Sequence, residues 1–564
     1  MRRTVVSALC AVTLVASLGA QPAPPRGGID SIRIGPLAEW LTFLSSDELQ
    51  GRATYTEGLG VAASYIAERL KEWGVKPVGD SGTYFQTVRV LGVRNASKST
   101  VTVEVNGETR TFSDGEGITL PRNQGGKQTI AGDVVFAGYG LQIPTAQPDD
   151  YAGIDPKGKV LVWIGAQGPA TLPEGSGRLL AARGRQALER GAIAAVGTTP
   201  PPGSGRGRGV PPAGSGQGRG AGQAAATNTE NAPHFTTVQR YEAPVALQAT
   251  AQDDFFEFLF SASDVKYAEL KERAATRKPL PAFALKNARI TFNIDPAYTV
   301  VRTQLTRNVV GVVEGSDPKL KDTYVVYGAH YDHNGYRDGD PRPGRGNQPP
   351  PDPDDRIYNG ADDDGSGTVA IMAVARAFAQ GPRPKRSLLF VWHTGEENGL
   401  LGSRYLVDFP VVPLERMVAQ LNMDMVGRNR DNNPDESNTV YVIGSDRIST
   451  ELHNINEDAN ASLRKPLTMN YEMNDPADRQ SIYTRSDHYS YASKGIPILF
   501  YFTGFHPDYH QVSDSVDKII FDKIQRVAQL AYETGRRVAN LGRAPERDNK
   551  GPRVGKGSKG KIDR

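Results

Sequence analysis

Hydrophobic positions in the first hundred residues recur at helical spacing. Leu37, Trp40, Leu41 and Leu44 fall on one face of a helix, and Ala62, Tyr65, Ile66 and Leu70 on one face of a second that Gly74 can end. Both are read as packing helices, in a stretch 31–90 that closes with a strand. Between about 115 and 295 the pattern changes to short β-rich runs, at 133–137 and 159–164, around a helical stretch at 178–190. From 300 onward compact apolar runs at 309–313, 324–327, 387–392, 417–421, 439–442 and 496–502 alternate with helical patterns, the clearest at 367–380 and 518–540. Such alternation defines an α/β unit with a mixed, mostly parallel sheet sandwiched by helices.

Composition changes this picture in a few places. At 564 residues the chain is too long for one ordinary core, so two or three domains are expected. A net charge of +3 gives no reason to expect nucleic acid or an anionic membrane as partner. Residues 199–225 are dominated by Pro, Gly, Arg, Ser and Ala and are read as a disordered loop, because that composition buries too little apolar surface. The Gly-Arg runs within it lack the preceding strand and following helix of a phosphate loop. The Lys/Arg/Gly-rich stretch 543–564 is read as a disordered basic tail.

At the N-terminus, two arginines, a short apolar run and small residues read as a secretory signal over 1–20, followed by a linker over 21–30. The run is short for a bilayer span, and an uncleaved anchor is the alternative. No later stretch is a candidate membrane span. Cys10, the only cysteine, lies inside that signal in a context that poorly matches a lipoprotein. The remainder therefore has no thiol for a disulfide or a metal. A secreted or periplasmic location follows as the expectation.

The chemistry lies where the strands of the 300–540 region end. The first leads into His330, with Asp332 two residues on; another runs through His393 into Glu396 and Glu397; a third runs into Asp424. The last is followed by a loop ending in Asp508, Tyr509 and His510, and Asp363 stands at the entrance of the helical run from 367. The carboxyl edge of an open α/β sheet is where ligands and catalytic groups gather. A lone histidine after a strand is commonly structural, a Glu-Glu pair is commonly solvated, and three aspartates before Gly-Ser-Gly can be a helix cap. Jointly, two histidines and three carboxylates on one edge form a ligand set suited to Zn²⁺, with Co²⁺ or Mn²⁺ open. Left there without a cation, they would be costly to bury.

In order, the motifs are Gly-Ala-His-Tyr-Asp at 328–332, Ala-Asp-Asp-Asp-Gly-Ser-Gly at 361–367, Gly-Glu-Glu-Asn-Gly-Leu-Leu-Gly-Ser at 395–403, Asn-Met-Asp-Met-Val-Gly at 422–427 and Asp-Tyr-His at 508–510. This series resembles the M28 family of metallopeptidases over about 300–540, and Leu-Ser-Ser-Asp-Glu-Leu-Gln-Gly-Arg at 44–52 resembles the stretch before the core in many members. The resemblance implies a zinc exopeptidase fold (phosphorylase/hydrolase-like), with the peptidase over 31–114 and 296–542. The intervening 115–295 is similar in general pattern to the β-rich protease-associated (PA) domain inserted in that family.

The resemblance further implies two Zn²⁺ ions, one on His330 and Asp424, the other on Glu397 and His510, with Asp363 bridging. Glu396 matches the general base, Asp332 the carboxylate that orients His330, and Tyr509 a tyrosine that stabilises the oxyanion in some members. Members often carry a non-proline cis peptide after the bridging aspartate, here Asp363–Asp364. The segment 337–356, acidic and Pro-rich, departs from the family and is expected to shape the cleft rim.

Arg485 heads Arg-Ser-Asp-His, which resembles a cleft-lining segment; the alternative is a turn in which Ser486 or Asp487 caps the next helix. His333, His393 and His506 lie near the site and are not read as ligands. Peptides are the expected substrates, cleaved from a free N-terminus. A carboxypeptidase or dipeptidase on the same core is the alternative, and a metal-free receptor relative a third possibility; a one-zinc glutaminyl cyclase fits the ligand set less well. Oligomeric state is not legible. Deleting 199–225 should leave the melting temperature nearly unchanged; a large drop would show that the segment is structured.

Overall fold

The computed structural model describes residues 27–142, 149–199, 232–337, 354–552 and 561–562. The expected signal, nearly all of the 199–225 loop and most of 337–356 lie outside these residues.

Two large sheets organise the chain. At the centre of the first, the strands Ser387–His393, Tyr324–His330, Met417–Met423 and Ile498–Phe502 run parallel. Almost every residue in them is buried, as expected of strands covered on both faces. One face is covered by Ile34–Leu44, Glu57–Glu72, Gly367–Ala379 and Phe521–Asn540, whose apolar sides merge with the sheet into one core. The shorter helices Leu401–Asp408 and His488–Ala492 cover the other. Leu37, Trp40, Leu41 and Leu44 are buried, as their spacing predicts.

"Mostly parallel" is corrected, because parallel pairing dominates only that centre. The long strand Tyr298–Val313 pairs antiparallel with Ser387–His393 and with Phe85–Asn95, and Thr439–Ile443 pairs antiparallel with Ile498–Phe502. An apolar run shows that a strand is covered and carries no sign of its direction.

The second sheet has eight strands, with the apolar core of 101–294 packed on it and the helices Gly177–Glu189, Asp253–Leu259 and Tyr267–Ala275 alongside. It begins earlier than the expected boundary at 115. Thr100–Val105 and Glu108–Ser113 form a hairpin within this sheet. Its turn is Asn106-Gly107, both with positive φ (50° and 86°), a tight pair that suits the twist of a hairpin. Alternating residues look the same whichever sheet receives them, so the boundary was not visible in the pattern. In the other direction, Phe235–Thr237 returns from within this region to pair with Phe85–Asn95 in the first sheet.

The expected disordered tail is also corrected in its described part. Arg543 forms an ion pair with Glu451 at 2.6 Å, the Thr450 amide donates to Asp548, and Lys561 meets Asp458 at 2.6 Å. Its described residues thus meet the helix Thr450–Ala461 at three points. Among the described residues no helix is long and apolar enough to cross a membrane.

Phe390 stacks on Tyr327 at 5.1 Å in the fully buried sheet layer. Phe390→Ala should cost about 3–5 kcal/mol in urea unfolding; a loss below about 1 kcal/mol would place this layer outside the cooperative core.

Candidate metal centre

The parallel strands end along one edge, and the site is built there. His330 is the last residue of its strand, Asp424 follows Met417–Met423 directly, and Glu396 and Glu397 follow the strand ending at His393. Asp363 sits in the irregular turn Ala361–Ser366 before the helix Gly367–Ala379, and the Asp363–Asp364 peptide is cis. His510 is reached by the loop after Ile498–Phe502. It holds φ 57°, a left-handed conformation uncommon for a residue with a side chain.

Asp363 faces two ways. Its Oδ1 lies 3.3 Å from His330 Nε2, which is itself 3.7 Å from Asp424 Oδ2. Its Oδ2 lies 2.9 Å from His510 Nε2, which is 3.0 Å from Glu397 Oε2. The five residues thus form two pairs with one carboxylate between them. Burial alone would lower the His510 imidazole, yet Glu397 and Asp363 carry it up to about 9. Burial would likewise lower His330, and Asp424 leads the carboxylates that take it well above its ordinary value.

The residues fit cations. His330 Nε2, His333 Nδ1 and Asp363 Oδ2 are buried, and each lies against an oppositely charged group of the same cluster, at 3.3 Å from Asp363, 2.8 Å from Glu397 and 2.9 Å from His510 respectively. Two donor groups of metal-binding spacing occur here, His330–Asp364–Asp424 and His333–Asp363–Glu397. In the first, Asp364 is the poorer ligand. Its Oδ1 accepts the Gly367 and Met425 amides and its Oδ2 the His330 amide, so both oxygens serve the backbone. Asp363, whose two oxygens face the two histidines, is the better donor to both groups. Imidazole with carboxylate is a donor set suited to zinc.

His333, which the sequence reading set aside, lies 2.8 Å from Glu397 Oε1, and Asn334 Nδ2 donates to the same oxygen at 3.0 Å. Both press on Oε1 and leave Oε2 facing His510. Asp332 also acts differently from expectation. His330 Nδ1 lies closer to the Asp332 main-chain carbonyl (3.1 Å) than to its carboxylate (3.7 Å). The carboxylate instead accepts the Glu396 amide at 3.1 Å and the Thr54 hydroxyl. Glu396 itself is half-buried; burial, with Glu397 and Asp424 nearby, pushes its carboxyl well above the usual range.

Two further residues order the loops. Arg52 is buried, and its guanidinium donates to the main-chain carbonyls of Leu44, Tyr331 (3.0 Å), Asn359 (2.7 Å) and Gly360 (2.9 Å). One side chain thereby ties the His330 loop to the Asp363 turn. It reaches them through three successive left-handed residues, Gln50, Gly51 and Arg52. A Cβ at Gly51 would stand 2.4 Å from the Tyr358 carbonyl oxygen, so only glycine fits there. From the opposite side, the Asp514 carboxylate accepts the amides of Asp362 and Asp363 at 3.1 Å.

Tyr509 stacks on His510 at 3.9 Å and receives a hydrogen bond from Arg485 Nη2 at 3.0 Å. Burial raises its phenol, so the hydroxyl keeps its proton. An apolar pocket opens beside these groups, walled by Met425, Ile482, Phe500, Phe502 and Phe505 with Arg485 at its side. The capping alternative for 485–488 is not realised: no side chain caps His488–Ala492, and Ser486 Oγ accepts from Asn422 instead.

The centre is thus a carboxylate shared between two histidine–carboxylate pairs at a strand edge. Residues 308–535 match the family model of peptidase family M28. It is 27% identical over 232 residues to a probable leucine aminopeptidase of Trichophyton verrucosum (strain HKI 0517), covering 40% of this chain and 53% of the relative. It is 34% identical over 122 residues to a probable zinc metalloprotease of Pyrenophora teres f. teres (strain 0-1), covering 22% of this chain and 23% of that protein. The chain thus spans about half the length of the leucine aminopeptidases it matches. An aminopeptidase from Aneurinibacillus sp. strain AM-1 aligns over 93% of this chain and 98% of its own, at 17% identity and a TM-score of 0.42.

Because Arg52 joins the two ligand-bearing loops, Arg52→Lys should weaken metal binding about 10- to 100-fold, as loss of a supporting contact does. Competition with a chromogenic chelator measures this, and unchanged affinity would remove Arg52 from the account.

Proposed function

We propose that the protein is a zinc aminopeptidase that removes apolar N-terminal residues from peptides. The observation that carries this is the two-faced Asp363, with His330 and Asp424 on one oxygen and His510 and Glu397 on the other. These residues would hold two zinc ions, in agreement with the zinc metalloprotease and leucine aminopeptidase names of the relatives. Zinc bound there would supply Lewis-acid polarisation of the scissile carbonyl and lower the pKa of the attacking water toward about 7.

The chain's own groups do the rest. As water attacks the carbonyl carbon, Glu396 accepts its proton. It returns that proton to the leaving nitrogen as the C–N bond breaks, releasing an amino acid and a shortened peptide. The Asp332 carboxylate, on the Glu396 amide, holds the base over the site. The protonated Tyr509 hydroxyl, held by Arg485, is placed to donate to the developing oxyanion. The phenylalanine-lined pocket suits an apolar side chain. Location outside the cytoplasm is part of the proposal and rests on the signal-like pattern of residues 1–20.

A second reading, a carboxypeptidase, is favoured by one observation: the Arg485 guanidinium on the pocket wall could meet a terminal carboxylate. Free, N-blocked and C-amidated peptides decide between them. The aminopeptidase cleaves free and amidated peptides, loses activity on N-blocked ones and stops when chelator is added. Cleavage of N-blocked peptides from the other end would establish the second reading. Glu396→Gln should lower kcat by at least about 100-fold while keeping its zinc by elemental analysis; loss of zinc would mean that the base and ligand roles are misassigned.

A further inference from the structure

The second sheet's unit contacts the peptidase beside the pocket. Glu189, the last residue of Gly177–Glu189, accepts a hydrogen bond from the Tyr489 hydroxyl at 3.0 Å. Arg185, one turn earlier, lies 5.6 Å from the Tyr489 ring and 3.6 Å from Glu189. On the other side, Arg479 Nη1 donates to the Glu174 carbonyl at 3.0 Å, and Ala477 packs against the apolar core of the second sheet. These contacts bracket residues 477–489.

Inside the bracket lie Ile482, Arg485 and Ser486, which line the pocket. The segment has little regular structure of its own. It holds a three-residue turn at Ile482–Thr484 and the first residues of the five-residue helix His488–Ala492. Its links inward are specific: His488 stacks on the pocket residue Phe500 at 4.3 Å and its Nε2 lies 2.8 Å from the Tyr483 carbonyl oxygen. A segment short of its own backbone ladder takes its position from what it packs on, and part of that support comes from the other unit.

We propose that the inserted unit sets the shape of the substrate side-chain pocket by holding 477–489 through the Glu189–Arg185–Tyr489 contact. Glu189 and Tyr489 are then specificity-positioning residues, acting through Ile482 on the pocket wall without touching the reacting atoms. The selectivity part rests on the aminopeptidase reading; the positional part does not.

The test uses the full chain with Glu189→Ala, Tyr489→Phe, the conservative Glu189→Gln and the Glu189→Ala/Tyr489→Phe pair. With zinc content unchanged, Glu189→Ala and Tyr489→Phe should raise KM for leucyl and phenylalanyl nitroanilides roughly threefold to tenfold with little change in kcat, the pattern of lost binding without lost chemistry. Alanyl nitroanilide should change less than about twofold, Glu189→Gln should stay near wild type, and the pair should be no worse than either single change. Hydrogen exchange without substrate should quicken at 477–489 in Glu189→Ala and stay unchanged at 328–333. Equal loss on all three substrates, or unchanged exchange at 477–489, overturns the inference. If the wild type cleaves none of these substrates, the aminopeptidase reading fails, and the exchange result still decides whether the contact positions the segment.

Discussion

Three carboxylates held together at the buried end of a sheet repel one another, and the rest of the site is arranged around that repulsion. Asp363, Glu397 and Asp424 converge with only imidazoles between them. Bringing them together is unfavourable unless positive charge arrives, and the carboxylate oxygens and imidazole nitrogens that face one another mark where it would sit. The framework therefore has to hold the acids in place without neutralising them. Asp364 and Asp514 do so through backbone amides, and Arg52 does so through carbonyl oxygens of the loops. Each anchor engages the main chain and leaves the ligand side chains to the centre.

The clustering of these residues was legible in the sequence for a physical reason. Strands buried on both faces read as apolar runs, so their carboxyl ends can be located, and His330, Glu397 and Asp424 stand at those ends. The supporting residues were not legible. Arg52 is 279 positions from Tyr331, and nothing local to Gln50-Gly51-Arg52 announces a buried guanidinium. His333 was passed over because a lone histidine is commonly structural, and only the fold sets it against Glu397. Strand direction, the boundary near residue 100 and the docked tail share one cause: each depends on which distant partner receives a segment, and local pattern does not encode the partner.

The inserted unit makes the architecture more than a catalytic core with an appendage. Its sheet has its own apolar core, yet one of its helices ends against the segment that walls the pocket. The strand edge holds the acids and histidines, while the pocket wall draws part of its support from another sheet.

The most direct test of the central claim is anomalous X-ray diffraction at the zinc edge from crystals of the zinc-loaded protein. The account predicts two peaks about 3.5–4 Å apart, one between His330 and Asp424 and one between Glu397 and His510, with Asp363 touching both. A single peak, or peaks that leave either pair without an ion, would contradict it.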